Sequence, residues 1–232
     1  MDSLTTEFKN AIRRGRIDAV RNLETCDRVY ALKVAVEIGN LDIVKYLIEQ
    51  GVDGKGKNSA LKDAVFFNRL TVVKYLIEQG ADVTAAGNFA VRSALSNGYL
   101  ETAKYLIEQG ASANWSHELA WPARNGHLEV VKFLIENGAN IHTNNDAALR
   151  YAAESGHLEV VKYLVEKGAN IHAYGNEALL EAIREKHADI VEYLIEKEAL
   201  IDEYALETAI RTGNIAIIKY LIKKGAGVES RL

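Results

Sequence analysis

The chain is poor in the residues that carry covalent, redox or metal chemistry. Cys26 is the one cysteine in 232 residues. No disulfide framework can form, and the chain reads as one suited to a reducing compartment. Cys26 has no histidine near it in sequence, so no nucleophile–base pair is visible there. The patterns G-x-S-x-G, H-E-x-x-H and C-x-x-C are absent, and no carboxylate pair stands out from a regular glutamate pattern. No apolar run approaches the roughly 18 residues of a membrane span, and the opening MDSLTTEFKN lacks the apolar centre of a signal peptide. The sequon Asn114-Trp115-Ser116 therefore reads as accidental. Charge of one sign is lacking too. The net charge is −4, from 28 basic and 32 acidic residues that are interspersed, which argues against the basic stripe that nucleic acid requires. These absences point to a non-enzymatic chain without cofactor or metal, in the cytoplasm with the nucleus also open to it, bound neither to membrane nor to nucleic acid.

What the chain has is one sentence written repeatedly. The cleanest copy is GHLEVVKYLVEKGANI, from Gly156 to Ile171; others start at Gly39, Asn68, Gly98, Gly126, Lys186 and Gly213, with an eroded copy at Gly15. Self-similarity at a period of 20–50 residues signals a repeat array. In the unit from Asp146 to Ile171, Ala148, Leu149, Ala152 and Ala153 share one helical face, and Arg150, Tyr151, Glu154 and Ser155 the other. Gly156 suits a tight turn. A second helix follows with Leu158, Val160, Val161, Leu164 and Val165 inward, and Glu159, Lys162 and Glu166 as an outward stripe. Gly168 is placed to end it as a left-handed cap. The column Ala11, Ala35, Ala64, Ala94, Ala152, Ala182, Ala209 allows close stacking of successive pairs. A second column, Thr5, Asn58, Asn88, Ser116, Asp146, Asn176, reads as helix N-caps.

The frame A-L-x-x-A-x-x-x-G-H-L-E-V-V-K-Y-L-x-E-x-G-A resembles the ankyrin repeat and covers nearly the whole chain. A T-P-L-H opening is absent, and the unit steps by about 30 residues where the ankyrin unit steps by 33. The short-period style is similar to the ankyrin proteins of giant amoebal DNA viruses. The resemblance implies an all-α, ankyrin-like helical repeat solenoid of about eight helix-turn-helix repeats with short loops. It implies one domain over 1–232, with an N-terminal capping repeat at 1–27, central repeats at 28–199 and a C-terminal capping repeat at 200–232. It further implies an adaptor that binds a protein partner, a host protein for a viral chain, on the concave face lined by loops and first helices.

Several units depart from the frame. Pro122 takes the alanine position of repeat five and predicts a shortened or kinked first helix. Lys186 and Glu198 replace the turn and cap glycines of repeat seven, where a tight connection is expected over one long helix. The stretch GVDGKGKN, with Gly51, Gly56 and Lys57, approximates a phosphate-binding loop. Its helical flank and Asn58 in the hydroxyl position favour a plain connecting loop. His127, His142, His157, His172 and His187 lie fifteen residues apart. Helix spacing of roughly 8–10 Å keeps one column from sharing an ion, so turn and loop hydrogen bonding is expected. Tyr46, Tyr75, Tyr105, Phe133, Tyr163, Tyr193 and Tyr220 form a ladder read as packing between repeats, beside a salt-bridged lysine column.

The candidate binding residues are the apolar side chains expected outward on first helices, Val34, Ile38, Phe66, Phe67, Trp121 and Tyr151, with Tyr99 and Trp115 in adjoining loops and Arg92 and Arg124 at the rim. Shortened loops folding over them would bury them instead. The sequence favours a monomer over self-association.

Overall fold

In the computed structural model, which describes residues 2–21, 25–112, 115 and 117–225, every regular element is an α-helix. Sixteen are assigned, in eight successive pairs. They are α1 (Asp2–Arg13), α2 (Asp18–Arg21), α3 (Thr25–Ile38), α4 (Leu41–Glu49), α5 (Gly54–Phe66), α6 (Leu70–Glu78), α7 (Ala85–Ser96), α8 (Leu100–Glu108), α9 (Ala120–Arg124), α10 (Leu128–Glu136), α11 (Thr143–Glu154), α12 (Leu158–Glu166), α13 (Ala173–Arg184), α14 (Ala188–Glu196), α15 (Glu203–Thr212) and α16 (Ile215–Lys223). The chain divides into two compact units. One holds Met1–Leu95 and Tyr99–Ala113; the other holds Ser96–Gly98 and Asn114–Leu232.

Within each unit the inward faces are largely those the frame assigns, but Ala11, Leu158 and Val165, expected inward, are only half-buried. In the second unit Ala148, Leu149, Ala152, Ala153, Val160, Val161 and Leu164 are all buried, and Glu159 and Glu166 are exposed. Each described unit except the first contributes a fully buried leucine from its first or second helix, such as Leu47, Leu76, Leu134 and Leu164. The outward lysines pair one turn back on their own helices: Lys104 with Glu101 at 3.2 Å, Lys132 with Glu129 at 2.7 Å, Lys162 with Glu159 at 2.8 Å. Such exposed pairs are worth a few tenths of a kcal/mol; the stack is held by its apolar interior.

The proline is accommodated by shortening. α9 has five residues, and Pro122 falls in its first turn, where a backbone N–H has no helical acceptor to miss. Repeats seven and eight are joined by a tight connection, with Glu198 in the left-handed region (φ 67°) before α15 begins.

The column read as N-caps does something else. Asn58 lies inside α5, whose cap is Asp53, accepting from the Gly56 N–H at 2.7 Å. Asn58, Asn88 and Asp146 each accept a backbone N–H from the loop 24 residues later, from Asp82 at 2.8 Å, Ser112 at 3.0 Å and Asn170 at 2.9 Å. They clamp one repeat to the next instead of closing their own helix. Asp146 and Asn176 sit in the left-handed region, a conformation Asn and Asp tolerate and helix N-caps do not use. Thr5 and Ser116 of the same column, Asn114 of the sequon and the tail from 226 onward lie outside the described residues or side chains. Asp146 is buried. Asp146→Ala is therefore expected to cost about 1–3 kcal/mol by stranding the Asn170 N–H, whereas Asp146→Asn keeps the acceptor and stays within about 0.5 kcal/mol. Urea denaturation of the two variants separates them.

Lys186 and Glu198 are exposed side chains at φ 67° each, where their counterparts are glycines. A Cβ there costs about 1 kcal/mol. Lys186→Gly and Glu198→Gly are each expected to stabilise by about 0.5–1 kcal/mol, read as a raised melting temperature; unchanged or lowered values would show that other contacts hold these positions.

Candidate functional site

The first helices of the second unit carry a continuous ladder of rings and guanidinium groups. α9 packs on α11, and α11 on α13. The Arg124 guanidinium carbon lies 5.8 Å from the Trp121 ring centre and 5.4 Å from that of Tyr151. Arg150 lies 5.6 Å from Tyr151 and 5.3 Å from Tyr174. The order Trp121–Arg124–Tyr151–Arg150–Tyr174 thus crosses three repeats. Each contact is worth about 0.5–1 kcal/mol at an exposed site, and together they fix the orientation of long side chains that would otherwise be mobile. Arg124 also binds Glu154 Oε1 at 2.8 Å. Arg150 donates to the carbonyls of Asn144 and Asn145 at 3.1 and 3.2 Å, and forms no ion pair among the described residues. Those two carbonyls face it because residues 144–146 run through the left-handed region. Beyond the ladder, Arg184 is neutralised by Glu177 and Glu181.

The first unit carries a separate aromatic group. Phe66 and Phe67 meet edge to face at 5.1 Å, and Lys62 stands 5.9 Å from the Phe89 ring centre. Phe66 is 58% exposed, Trp121 51% and Tyr174 69%, values that mark rings standing in solvent and not covered by loops. The other expected residues divide. Arg92 is exposed; Ile38, Phe67, Tyr99, Trp115, Arg124 and Tyr151 are half-buried. Trp115 is occupied edge to face with Phe133 at 5.9 Å. Val34 is a correction: it is buried in the core. It shares the helical position of Tyr151, but a short branched side chain there ends below its neighbours, where a tyrosine reaches past them.

The histidines act as spacers between repeats. A Cβ placed on Gly98, Gly126 or Gly156 would lie 2.6 Å from the ring of His127, His157 or His187 respectively, so each ring sits flush on the preceding turn. His187 Nε2 donates to the Glu154 carbonyl at 3.0 Å. Burial of its ring, with the His157 charge adding to it, holds His127 below the usual histidine range. Arg69 does the same structural work in the first unit, donating to the Glu37 carbonyl at 2.8 and 3.0 Å. His142 and His172 bond Asp146 and Asn176 at 3.1 and 2.9 Å. No group of three or more metal-ligating side chains occurs among the described residues. The glycine-lysine stretch is helical from Gly54, the Asp53 carboxylate occupies the Gly56 N–H, and Lys57 donates to the Gln79 carbonyl at 2.9 Å. A phosphate would meet a carboxylate where a cradle needs free N–H groups.

The family model described as "Ankyrin repeats (3 copies)" matches residues 8–87, 86–145, 119–204 and 172–231, nearly the full chain. The chain is an ankyrin-repeat protein. Among solved structures, the crystal structure of the human ASB11 ankyrin repeat domain is similar to it with a TM-score of 0.71 at 24% identity, over 83% of this chain and 96% of that one. No curated protein matches the sequence. Ankyrin repeats generally mediate protein–protein interaction, and no enzymatic family is indicated. No helix among the described residues is long and apolar enough to cross a membrane.

Against the ankyrin frame, sequence reasoning missed Arg150, Tyr174 and Phe89 as site residues. Tyr174 lay in what reads as a connecting loop; the signal that could have found it is an aromatic beside Gly175, four residues before an inward Ala-Leu pair. Arg150 was placed on the outward helical face but not among the binding residues, because its stacking partners come from two different repeats.

Proposed function

We propose that this ankyrin-repeat protein is a non-enzymatic scaffold that binds a protein partner through its first helices, with the ladder from Trp121 to Tyr174 as the principal contact. The observation that carries the reading is the pair of exposed rings, Trp121 and Tyr174, held in one row by Arg124 and Arg150. Aromatic and arginine side chains dominate binding energy at interfaces because they bury large areas with few rotatable bonds. Here the row is ordered before any partner arrives, which lowers the entropy cost of docking. Arg150 keeps unused donors between two rings, a setting that suits a carboxylate beside an apolar side chain on the partner. In the first unit Phe66 and Phe67 offer a separate apolar contact, and Lys62 stands over the exposed Phe89 ring. The balanced charge, net −4, supports a protein and not a nucleic acid as the partner. The likeness of the short units to giant-virus arrays supports a host cytoplasmic protein in that role.

Affinity capture with the wild type and with Trp121→Ala/Tyr174→Ala tests it. Loss of specific recovered proteins from the variant, with its melting temperature kept, is the expected result, at a cost of about 2 kcal/mol or more in affinity. Equal recovery by both chains would place the contact elsewhere.

A further inference from the structure

Of the three arginines on α9, α11 and α13, two are neutralised. Arg124 is held by Glu154 at 2.8 Å, and Arg184 by Glu177 and Glu181. Arg150 is held differently. Its Nε donates to the Asn145 carbonyl and its Nη2 to the Asn144 carbonyl. Both bonds leave from one edge of the planar group, the edge that Nε and Nη2 share. The other fork, the second Nη2–H with the two Nη1–H groups, keeps its donors. The rings of Tyr151 and Tyr174 stand 5.6 and 5.3 Å away. The left-handed run at 144–146 brings the carbonyls to the guanidinium. The same run recurs at 174–176, but Leu180 takes the place of Arg150 one repeat on. Asp146, one turn before Arg150, is buried and taken by His142 and the Asn170 N–H. Glu185 stands exposed at the C-terminal end of α13, beyond Arg184.

Resting on the reading of this row as the binding face, we infer that the partner seats a side-chain carboxylate, from Asp or Glu, on Arg150, with apolar neighbours against Trp121 and Tyr174. A carboxylate accepts two parallel N–H bonds from the open fork. A phosphate dianion calls for further cations, and Arg124 and Arg184 are already paired. A terminal carboxylate would end the partner chain in the middle of the row and leave one exposed ring uncovered. A side chain lets the segment run past both rings. Arg150 then sets specificity while the rings supply area. An apolar segment lacking the acid would cover the guanidinium and leave its donors unpaired, which costs affinity.

The probe is a displayed library of random linear peptides, selected on the full chain against bare support. Enriched sequences are expected to share an Asp or Glu with aromatic or aliphatic neighbours. The strongest binder is then synthesised and titrated. Exchanging its acid for the amide leaves the protein untouched and should weaken binding about 10- to 100-fold. Arg150→Gln should weaken the parent peptide by a similar factor and the amide peptide little, the signature of a direct pair. Arg150→Lys keeps the charge without the fork and should recover part of the loss. Phosphoserine in place of the acid should bind no more tightly than the parent. Binding that is lost in Trp121→Ala/Tyr174→Ala but indifferent to the acid and to Arg150 would keep the row as the binding face and overturn the carboxylate. Binding indifferent to all of these changes overturns both. Tighter binding of the phosphoserine peptide, or a selection that enriches no peptide, overturns the inference as well.

Discussion

Gly126→Ala is expected to destabilise the protein by about 2–4 kcal/mol. Two costs add. Gly126 adopts φ 77°, where an L side chain is penalised by about 1–2 kcal/mol. Its new Cβ would also stand 2.6 Å from His157 Nδ1, far inside contact distance, so the ring must leave the turn it rests on. The ring belongs to the next repeat, and its displacement loosens the joint between repeats, not one hairpin alone. Gly126→Ala/His157→Ala removes the clash and keeps the backbone penalty, so the double variant should be less destabilised than the sum of the two single ones. Strict additivity in denaturant titrations would show that the histidine column does not set the spacing.

Leu164→Ala is expected to cost about 2–5 kcal/mol. Leu164 is fully buried, and its neighbours Val160, Val161, Leu149 and Ala152 are themselves close to 0% exposed, leaving little room for collapse into the space. In a repeat array stability is carried by nearest-neighbour contacts, so a cavity in one central unit weakens the coupling on both sides. The expected signature is a lowered melting temperature with a shallower denaturant transition, as the second unit ceases to unfold together. A loss below about 1 kcal/mol would mean that the interior repacks freely.

The register of the helices was legible because burial alternates with the 3.6-residue period. Most alanine and leucine positions named from sequence are buried, Ala11 and Leu158 being half-buried at the edge of the core, and the proline and the glycine replacements in repeat seven announced their own local effects. Two things were not legible. The Asn58–Asn88–Asp146 column has the residue types of helix caps, and only coordinates show that its acceptors reach 24 residues forward. A cap and a clamp use the same side chains, and composition does not distinguish them. The outward face was read one residue at a time, so Val34 was taken as exposed for its position, although its length keeps it below the surface. The ladder escaped for the complementary reason: Arg124, Tyr151, Arg150 and Tyr174 gain meaning as a row only when successive repeats are set side by side.

The proposed partner meets the first-helix side of the helix pairs. Amide hydrogen exchange of the chain, alone and with a captured partner, reads that directly. Slowed exchange concentrated on α9, α11, α13 and the turns preceding them is the predicted footprint. Protection confined to the second helices α10, α12 and α14, with the Trp121–Tyr174 row unchanged, would contradict it.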